Sequence, residues 1–437
     1  MRFIYLLAIF FGFLHGADLY ELYMSTKAKE QNSSIGFLKE QNITALAQIK
    51  EHEAIELSPD KCQVCHRDQT KYWERGYHAK SHEGADPLYA ASIDLVAKKT
   101  GRLREEVLVE CSACHNPELK IKNINENYKI SKLFGVHTET VKHIDKQIRN
   151  ATNLHGVGCS SCHRVDKLAQ SDKAGSHAVE YIKEDSNVIV GPYNDVLRDE
   201  YHANEYREFF DDSNKLCLTC HDGIGAYDTN GKPNVISAYA TSSEMANHDK
   251  SCVDCHMSDR YETINASYGD EIRVRYVRAH LFNGAHDIRQ LKMGILFRFN
   301  KTHNNVEVVN NSAHMIPTGF GSRMIRITLS YKNADGKELS ENVFDIGTRY
   351  LNKGEPALQY YADSLSYDNR LAPGEVRLLK TKAPNGATVL NLKAEFYYLR
   401  PDLVELFGND KRVQDKEIIG PVEITDRNFN LVMGGRP

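Results

Sequence analysis

The pentapeptide Cys-x-x-Cys-His occurs five times in this chain, at 62–66, 111–115, 159–163, 217–221 and 252–256, and these copies use all ten cysteines. Two thiols one helical turn apart can add across the two vinyl groups on one porphyrin edge, and the next imidazole then reaches the iron from one face. This spacing is the attachment pattern of c-type haem. The sequence therefore predicts five covalently bound c-type haems, each with its iron.

Zinc binding and disulfide bonds are the alternative uses of these cysteines. Zinc normally takes two such cysteine pairs per tetrahedral site, and five is an odd number of pairs. A disulfide framework does not require a histidine after every second cysteine. Haem attachment is therefore predicted at Cys62, Cys65, Cys111, Cys114, Cys159, Cys162, Cys217, Cys220, Cys252 and Cys255, with His66, His115, His163, His221 and His256 as proximal iron ligands.

Residues 1–17 have the pattern of an export signal, with Arg2, an apolar run over 3–14, and the small residues Gly16 and Ala17. The run is too short to span a bilayer and polar sequence follows it, so we expect cleavage near Gly16 or Ala17, with an uncleaved anchor as the alternative. No cysteine lies there to carry a lipid. The mature protein is expected in the periplasm or at the cell surface, with no membrane span.

The formal net charge of −4 becomes more negative once haem propionates are counted, although each ferric haem core offsets one charge. Such a surface attracts neither nucleic acid nor anionic lipid. Redox proteins are the predicted partners, as electron donor and acceptor, and the sequence permits an oligomer.

The sequence pattern changes from helical to strand-like near residue 290. Residues 18–60 are predicted to be a helical lead-in, and 61–290 a mainly α multihaem cytochrome c domain with little regular strand, including helices over 91–99 and 139–148. Residues 291–437 are predicted to be an all-β immunoglobulin-like sandwich, because short segments rich in β-formers alternate there with turn signals. The predicted strands cover 295–299, 306–309, 324–331, 342–346, 376–380, 388–392 and 395–399.

The second axial position of each iron decides between electron transfer and catalysis at the haem. The chain has nineteen histidines. Five histidines outside the motifs would be enough to give every haem iron a second axial ligand. Counting alone therefore leaves an open haem as an alternative.

The run from Cys62 through Trp73 to His78 and Ala79 resembles the opening of the cytochrome c-554 family, in which a tryptophan and then Ser-x-His-Ala follow the first motif. This chain has Gly76 in place of the usual serine. In that family the histidine is a distal haem ligand, which implies this role for His78. His82 is the local competitor, one helical turn further along.

Other segments resemble patterns of the wider multihaem class. His155 precedes a Gly-Val-Gly-Cys segment, His202 lies upstream of the fourth motif, His280 follows the last motif, and His314 begins a His-x-x-Pro-Thr-Gly motif. The resemblance implies that these four are distal ligands, with His314 reaching back from the β-domain. The reserve candidates are His286, His177, His137 and His143.

Electron transfer through five bis-histidine haems is the leading functional prediction, with a respiratory redox enzyme as partner. A multihaem reductase of nitrogen or sulfur oxyanions, with one open haem, is the first alternative. Every motif ends in histidine, so the lysine-ended motif of pentahaem nitrite reductases is absent. Tyr77 and His82 are explained as surface residues, and no catalytic residue is predicted. A subunit of an extracellular cytochrome filament is the second alternative.

Overall fold

The computed structural model describes residues 58–149, 155–169, 178–196, 201–222, 224–227, 233–235, 250–268 and 271–431. The predicted export signal, and the predicted lead-in as far as residue 57, lie outside these residues. No helix in the described ranges combines the length and the apolar character needed to cross a bilayer.

Short helices dominate the first half of the described chain. The helices are α1 Pro59–Cys62, α2 Arg67–Arg75, α3 Pro87–Thr100, α4 Arg104–His115, α5 Glu126–Leu133, α6 Glu139–Arg149, α7 Cys159–His163, α8 Ser213–Cys217, α9 Cys252–His256 and α10 Ile288–Gly294. The predicted helices over 91–99 and 139–148 are confirmed, since they lie within α3 and α6.

Helix α3 begins and ends at residues suited to those positions. The Asp86 side chain accepts a hydrogen bond from the Tyr89 amide at 3.0 Å, and Pro87 occupies the first helical turn, where its missing N–H costs nothing. Gly101 ends the helix with φ +70°, a conformation that glycine adopts without strain.

The expectation of little regular strand in the haem region needs correction, because four two-stranded ribbons lie between the helices. The pairs are β1 Val165–Ala169 with β2 Ala178–Tyr181, β3 Val188–Gly191 with β4 Ala203–Tyr206, β5 Ile224–Tyr227 with β6 Pro233–Val235, and β7 Arg260–Tyr268 with β8 Glu271–Arg278. In β8, apolar residues alternate with arginines, which is the period of a strand. This period is the signal in the sequence that indicates a strand here.

The second half is rich in strands, as predicted. The strands are β9 Ile295–Asn300, β10 Asn305–Asn310, β11 Met324–Lys332, β12 Glu338–Asn352, β13 Glu355–Ala357, β14 Ser364–Asp368, β15 Val376–Leu379, β16 Val389–Tyr397 and β17 Val422–Asn430. One sheet has the order β15-β10-β9, and a second has the order β13-β12-β11-β16-β17 with β14 also paired to β12.

The two sheets share one apolar core. Ile325, Ile327 and Leu329 alternate along β11 and are fully buried, and Val306 and Val308 of the other sheet belong to the same cluster. The strands predicted over 388–392 and 395–399 are one continuous strand, β16, and β13, β14 and β17 were not predicted. The immunoglobulin-like type of this pair of sheets stays a prediction.

The strand-rich region also packs against the helices. Leu399, Leu403 and Val413, which follow β16, lie in the same buried cluster as residues of α3 to α6. Arg412 forms an ion pair with Asp94 of α3, with 2.6 Å between Nη2 and Oδ2. The predicted domain boundary near residue 290 is therefore a change of secondary structure across which packing continues.

Candidate haem-binding cavity

One cavity of about 2860 Å³ contacts nearly all of the predicted haem residues. It is lined by all ten motif cysteines, all five motif histidines and four of the five predicted distal histidines; His155 is the exception. Single sites for drug-sized ligands measure roughly 300–1,000 Å³. The cavity therefore has room for several groups of that size.

Each motif contains a helical turn, which places its two thiols on one side. In the first motif the His66 amide donates to the Cys62 carbonyl at 2.8 Å, and in the fourth the His221 amide donates to the Cys217 carbonyl at 2.9 Å. The third and fifth motifs are the whole of α7 and α9. This turn is the local conformation that attachment to two vinyl groups requires.

Backbone carbonyls orient several of the imidazoles. An Nδ1–H that donates to a carbonyl leaves the Nε2 lone pair available to a metal. The Nδ1 atoms and their partners are His115 with Ser81 at 3.2 Å, His163 with Val190 at 2.7 Å, His280 with Arg278 at 3.1 Å, His314 with Met315 at 2.9 Å, and His256 with Asn283.

Four motif histidines face four of the predicted distal histidines. The ring centroids are 6.3 Å apart for His66 and His202, 6.1 Å for His78 and His221, 6.3 Å for His163 and His280, and 6.2 Å for His256 and His314. Metal–imidazole bonds are about 2.0–2.1 Å long, so two rings in direct contact would be too close together to hold a metal ion between them. Ring centroids about 6 Å apart leave room for one ion. These pairs fit iron held between two imidazoles.

Burial keeps several of these imidazoles neutral, which is the form that binds metal. Loss of solvation, reinforced by neighbouring imidazoles, lowers the pKa of His78 to about 3 and that of His221 to about 4. The same causes lower the pKa of His280 to about 4. Neutral rings can lie this close together without repulsion between charges.

His115 differs from the other motif histidines. Within the described ranges it has no facing imidazole, and its ring instead stacks on Tyr89, with 4.3 Å between centroids and 12° between planes. His155, the remaining predicted distal ligand, lies outside the cavity lining, and its buried Nε2 makes no hydrogen bond to the described residues. The ligand roles of all ten histidines stay predictions.

Of the reserve candidates that the structure describes, none is paired with a motif histidine. His286 lies between the rings of Tyr77 and Tyr398, whereas His137 and His143 are exposed and do not line the cavity. His177 lies outside the described residues.

The motifs contact one another through their thiols. Cys62 lies beside Cys159, Cys114 beside Cys220, and Cys217 beside Cys252, close enough in each pair for the thiols to interact. Cys162 lies close enough to Cys220 for an electrostatic interaction between the two thiols. The fourth motif therefore lies next to the second, third and fifth, and the third lies next to the first.

The family model described as "Cytochrome c554 and c-prime" matches residues 61–164, which contain the first three motifs. The crystal structure of a penta-heme cytochrome c552 from Thermochromatium tepidum is similar, with a TM-score of 0.59 and 19% sequence identity over 86% of this chain and 99% of that chain. No curated protein matches the chain. The family match and the likeness of fold, together with the five motifs, support a multihaem c-type cytochrome.

Proposed function

We propose that this protein is an exported electron-transfer cytochrome that carries five c-type haems and connects a redox enzyme to a second redox protein. The observation that carries this proposal is the set of four facing histidine pairs inside the cavity lined by all ten motif cysteines. An iron with two imidazole ligands has no open position for a substrate, which suits electron transfer.

The chain's own residues would hold and tune the haems. Each motif's two cysteines would form the thioether bonds, and the facing imidazoles would ligate the iron, which supplies one-electron chemistry when bound. Backbone carbonyls such as those of Val190 and Met315 hold the imidazoles in a fixed orientation. Burial of the cavity and the axial ligand type are the means by which a protein sets haem potentials.

The contacts between thiols support a single connected route for electrons. Starting from the first motif, contacts lead through Cys159 to the third motif, and from Cys162 towards Cys220 of the fourth. From there, contacts through Cys114 and Cys252 reach the second and fifth motifs. The fourth haem would thus be the branch point of the array.

The absence of an imidazole facing His115 within the described ranges favours a second candidate function. A haem at Cys111 and Cys114 with one protein ligand would leave its iron open to a small molecule. The four other haems would then supply electrons to that iron. This is the multihaem reductase, with the second haem as its reaction centre.

Spectroscopy of the purified holoprotein tests both candidates. Intact mass measurement should give five haems, and at least four haems of the reduced protein should stay low-spin and bind no carbon monoxide. The reductase candidate further requires that the fifth haem binds carbon monoxide. If no haem binds carbon monoxide, the reductase candidate fails and electron transfer stands alone. If several haems bind it, or if fewer than five are attached, the proposal of an array of paired ligands is wrong.

A further inference from the structure

Arg323 is a cation on the cavity lining with no ion pair to a described carboxylate. Its Nη1 donates to the Thr318 carbonyl at 2.8 Å, and most of the other guanidinium donors have no acceptor among the described residues. Gly319 has φ +80°, and a Cβ there would lie 2.7 Å from Nη1, so glycine at this position gives the guanidinium its room. The Pro-Thr-Gly motif after His314 therefore positions an arginine.

An aromatic stack lies beside Arg323. The His286 ring is sandwiched between Tyr77, with 3.5 Å between centroids and 11° between planes, and Tyr398, with 4.1 Å and 16°. Arg323 is close enough to act electrostatically on all three side chains. Neither tyrosine hydroxyl makes a hydrogen bond with a described residue, so both are available as donors to a ligand.

This group of side chains borders the second haem site. Tyr360 lies within electrostatic range of both Arg323 and the thiols of Cys111 and Cys114, and it lines the same cavity. Asp86 lies within range of both Arg323 and His115. The cation and the hydroxyls are thus neighbours of the haem whose histidine has no facing imidazole.

The acid nearest to this group does not neutralise it. The Asp86 carboxylate accepts the Tyr89 amide hydrogen bond that begins α3, and it is not within ion-pair distance of Arg323. Lys80 adds a second positive charge near His286. The balance of charge at this edge of the cavity therefore favours an anion.

We propose that Arg323, together with the hydroxyls of Tyr77 and Tyr398, binds a small inorganic oxyanion of nitrogen or sulfur beside the haem of Cys111 and Cys114. A guanidinium presents two parallel donors that match two oxygens of one anion, and phenol groups complete the donor set. This inference rests on the reductase candidate above and assigns the side chains that would bind its oxyanion substrate.

A haem propionate is the competing partner for Arg323, since it offers the same carboxylate geometry. A propionate would occupy the guanidinium permanently, so an added anion would not contact the arginine. Replacing Arg323 would then shift haem potentials and leave anion affinity unchanged.

Anion binding to the oxidised holoprotein tests the proposal, with nitrite and sulfite as separate probes. Calorimetry and the shift of the visible spectrum give the dissociation constant, and neither depends on turnover. We expect one binding site in the wild type, with R323Q at least about tenfold weaker and R323K between the two. R326Q is the matched control, because Arg326 pairs with Asp345 on the sheet and does not line the cavity.

Haem content and carbon monoxide binding separate this inference from the function on which it rests. If R323Q keeps five haems and one carbon monoxide site but loses anion affinity, the proposal holds. If R323Q binds the anion as tightly as the wild type, whether or not the haem potentials change, the proposal is wrong. The open haem of the reductase candidate would then still stand. If R323Q does not assemble with its haems, R323K is the deciding variant, because lysine keeps the positive charge but lacks the two parallel donors. Anion affinity of R323K equal to that of the wild type would then count against the proposal.

Discussion

His78 and His221 face each other across the haem cavity, with 6.1 Å between ring centroids and 28° between ring planes. His78 follows the first motif and His221 ends the fourth, so the pair joins two segments that are far apart in the chain. Phe282 packs against His78 at 4.2 Å between centroids and helps to fix its ring. We expect one iron between these two imidazoles.

Replacing His78 by alanine is expected to open one haem. The iron attached through Cys217 and Cys220 would lose its second imidazole, so one further haem should become high-spin and bind carbon monoxide. His82→Ala is the matched control, because His82 faces no motif histidine in the part of the chain that the structure describes. Its Nδ1 instead accepts a hydrogen bond from the Gly84 amide. An extra carbon monoxide site in His82→Ala, but not in His78→Ala, would contradict the pairing.

His280 and His155 should behave differently when replaced. His280 faces His163 at 6.3 Å between ring centroids, whereas His155 faces no motif histidine among the described residues. His280→Ala is therefore expected to add one high-spin haem in the electron paramagnetic resonance spectrum of the oxidised protein. His155→Ala should leave the spin populations unchanged; a new high-spin haem there would make His155 the missing partner of His115.

The cysteines and histidines of the five motifs, which line one cavity, could be singled out because the attachment motif is local in sequence. The pairing of imidazoles could not, since His66 meets His202 and His256 meets His314 only after the chain has folded. Resemblance identified four histidines that line the cavity, but spacing carries no information on which motif each one faces.

The same distinction applies to the group around Arg323. Tyr77 is exposed, as expected for a surface residue, but nothing near it in the sequence predicts its contact with His286. His286 in turn contacts Tyr398 of the strand-rich region. The strand-rich region itself was predictable from alternating residues such as those of β11. Contacts between distant segments depend on tertiary packing, which one sequence does not reveal.

Gly156 is expected to be intolerant of alanine, for a reason that involves His78. Its φ is +62°, and a Cβ there would overlap the carbonyl oxygen of His78, which also accepts the Val157 amide hydrogen bond at 2.9 Å. Gly156→Ala should therefore displace His78 and raise the high-spin fraction, besides lowering the melting temperature. Gly101→Ala is the control, since it has φ +70° with open space around the added carbon.

Both glycine variants carry the left-handed backbone cost of about 1–2 kcal/mol. Only Gly156→Ala should also change the haem spectrum, because only there does the added carbon meet the backbone of a predicted ligand. Equal spectra for the two variants would show that the His78 carbonyl moves aside without disturbing its imidazole.

Arg412 is expected to stabilise the packing of the strand-rich region on α3 in a pH-dependent way. Its Nη2 lies 2.6 Å from carboxylate oxygens of both Asp94 and Asp410, and the hydrogen bond from Arg412 holds the pKa of Asp410 below its ordinary value. Partly exposed pairs of this kind contribute roughly 0.2–1 kcal/mol each, less at high salt. Arg412→Gln should therefore lower the melting temperature modestly at pH 7.

The direction of the pKa shift determines the pH range in which the difference in stability between the wild type and Arg412→Gln disappears. A carboxyl whose pKa is lowered by folding stabilises the native state above its unfolded pKa, which is about 3.9 for aspartate. This contribution is lost as the pH falls through the lower value of the folded protein. The gap in melting temperature between the wild type and Arg412→Gln should thus be full near pH 7 and shrink below about pH 4.

Lys142→Gln, at an exposed pair with Glu139, should show almost no gap at either pH. A gap for Arg412→Gln that persists unchanged at low pH would mean that the arginine acts through packing of its side chain rather than through its charge.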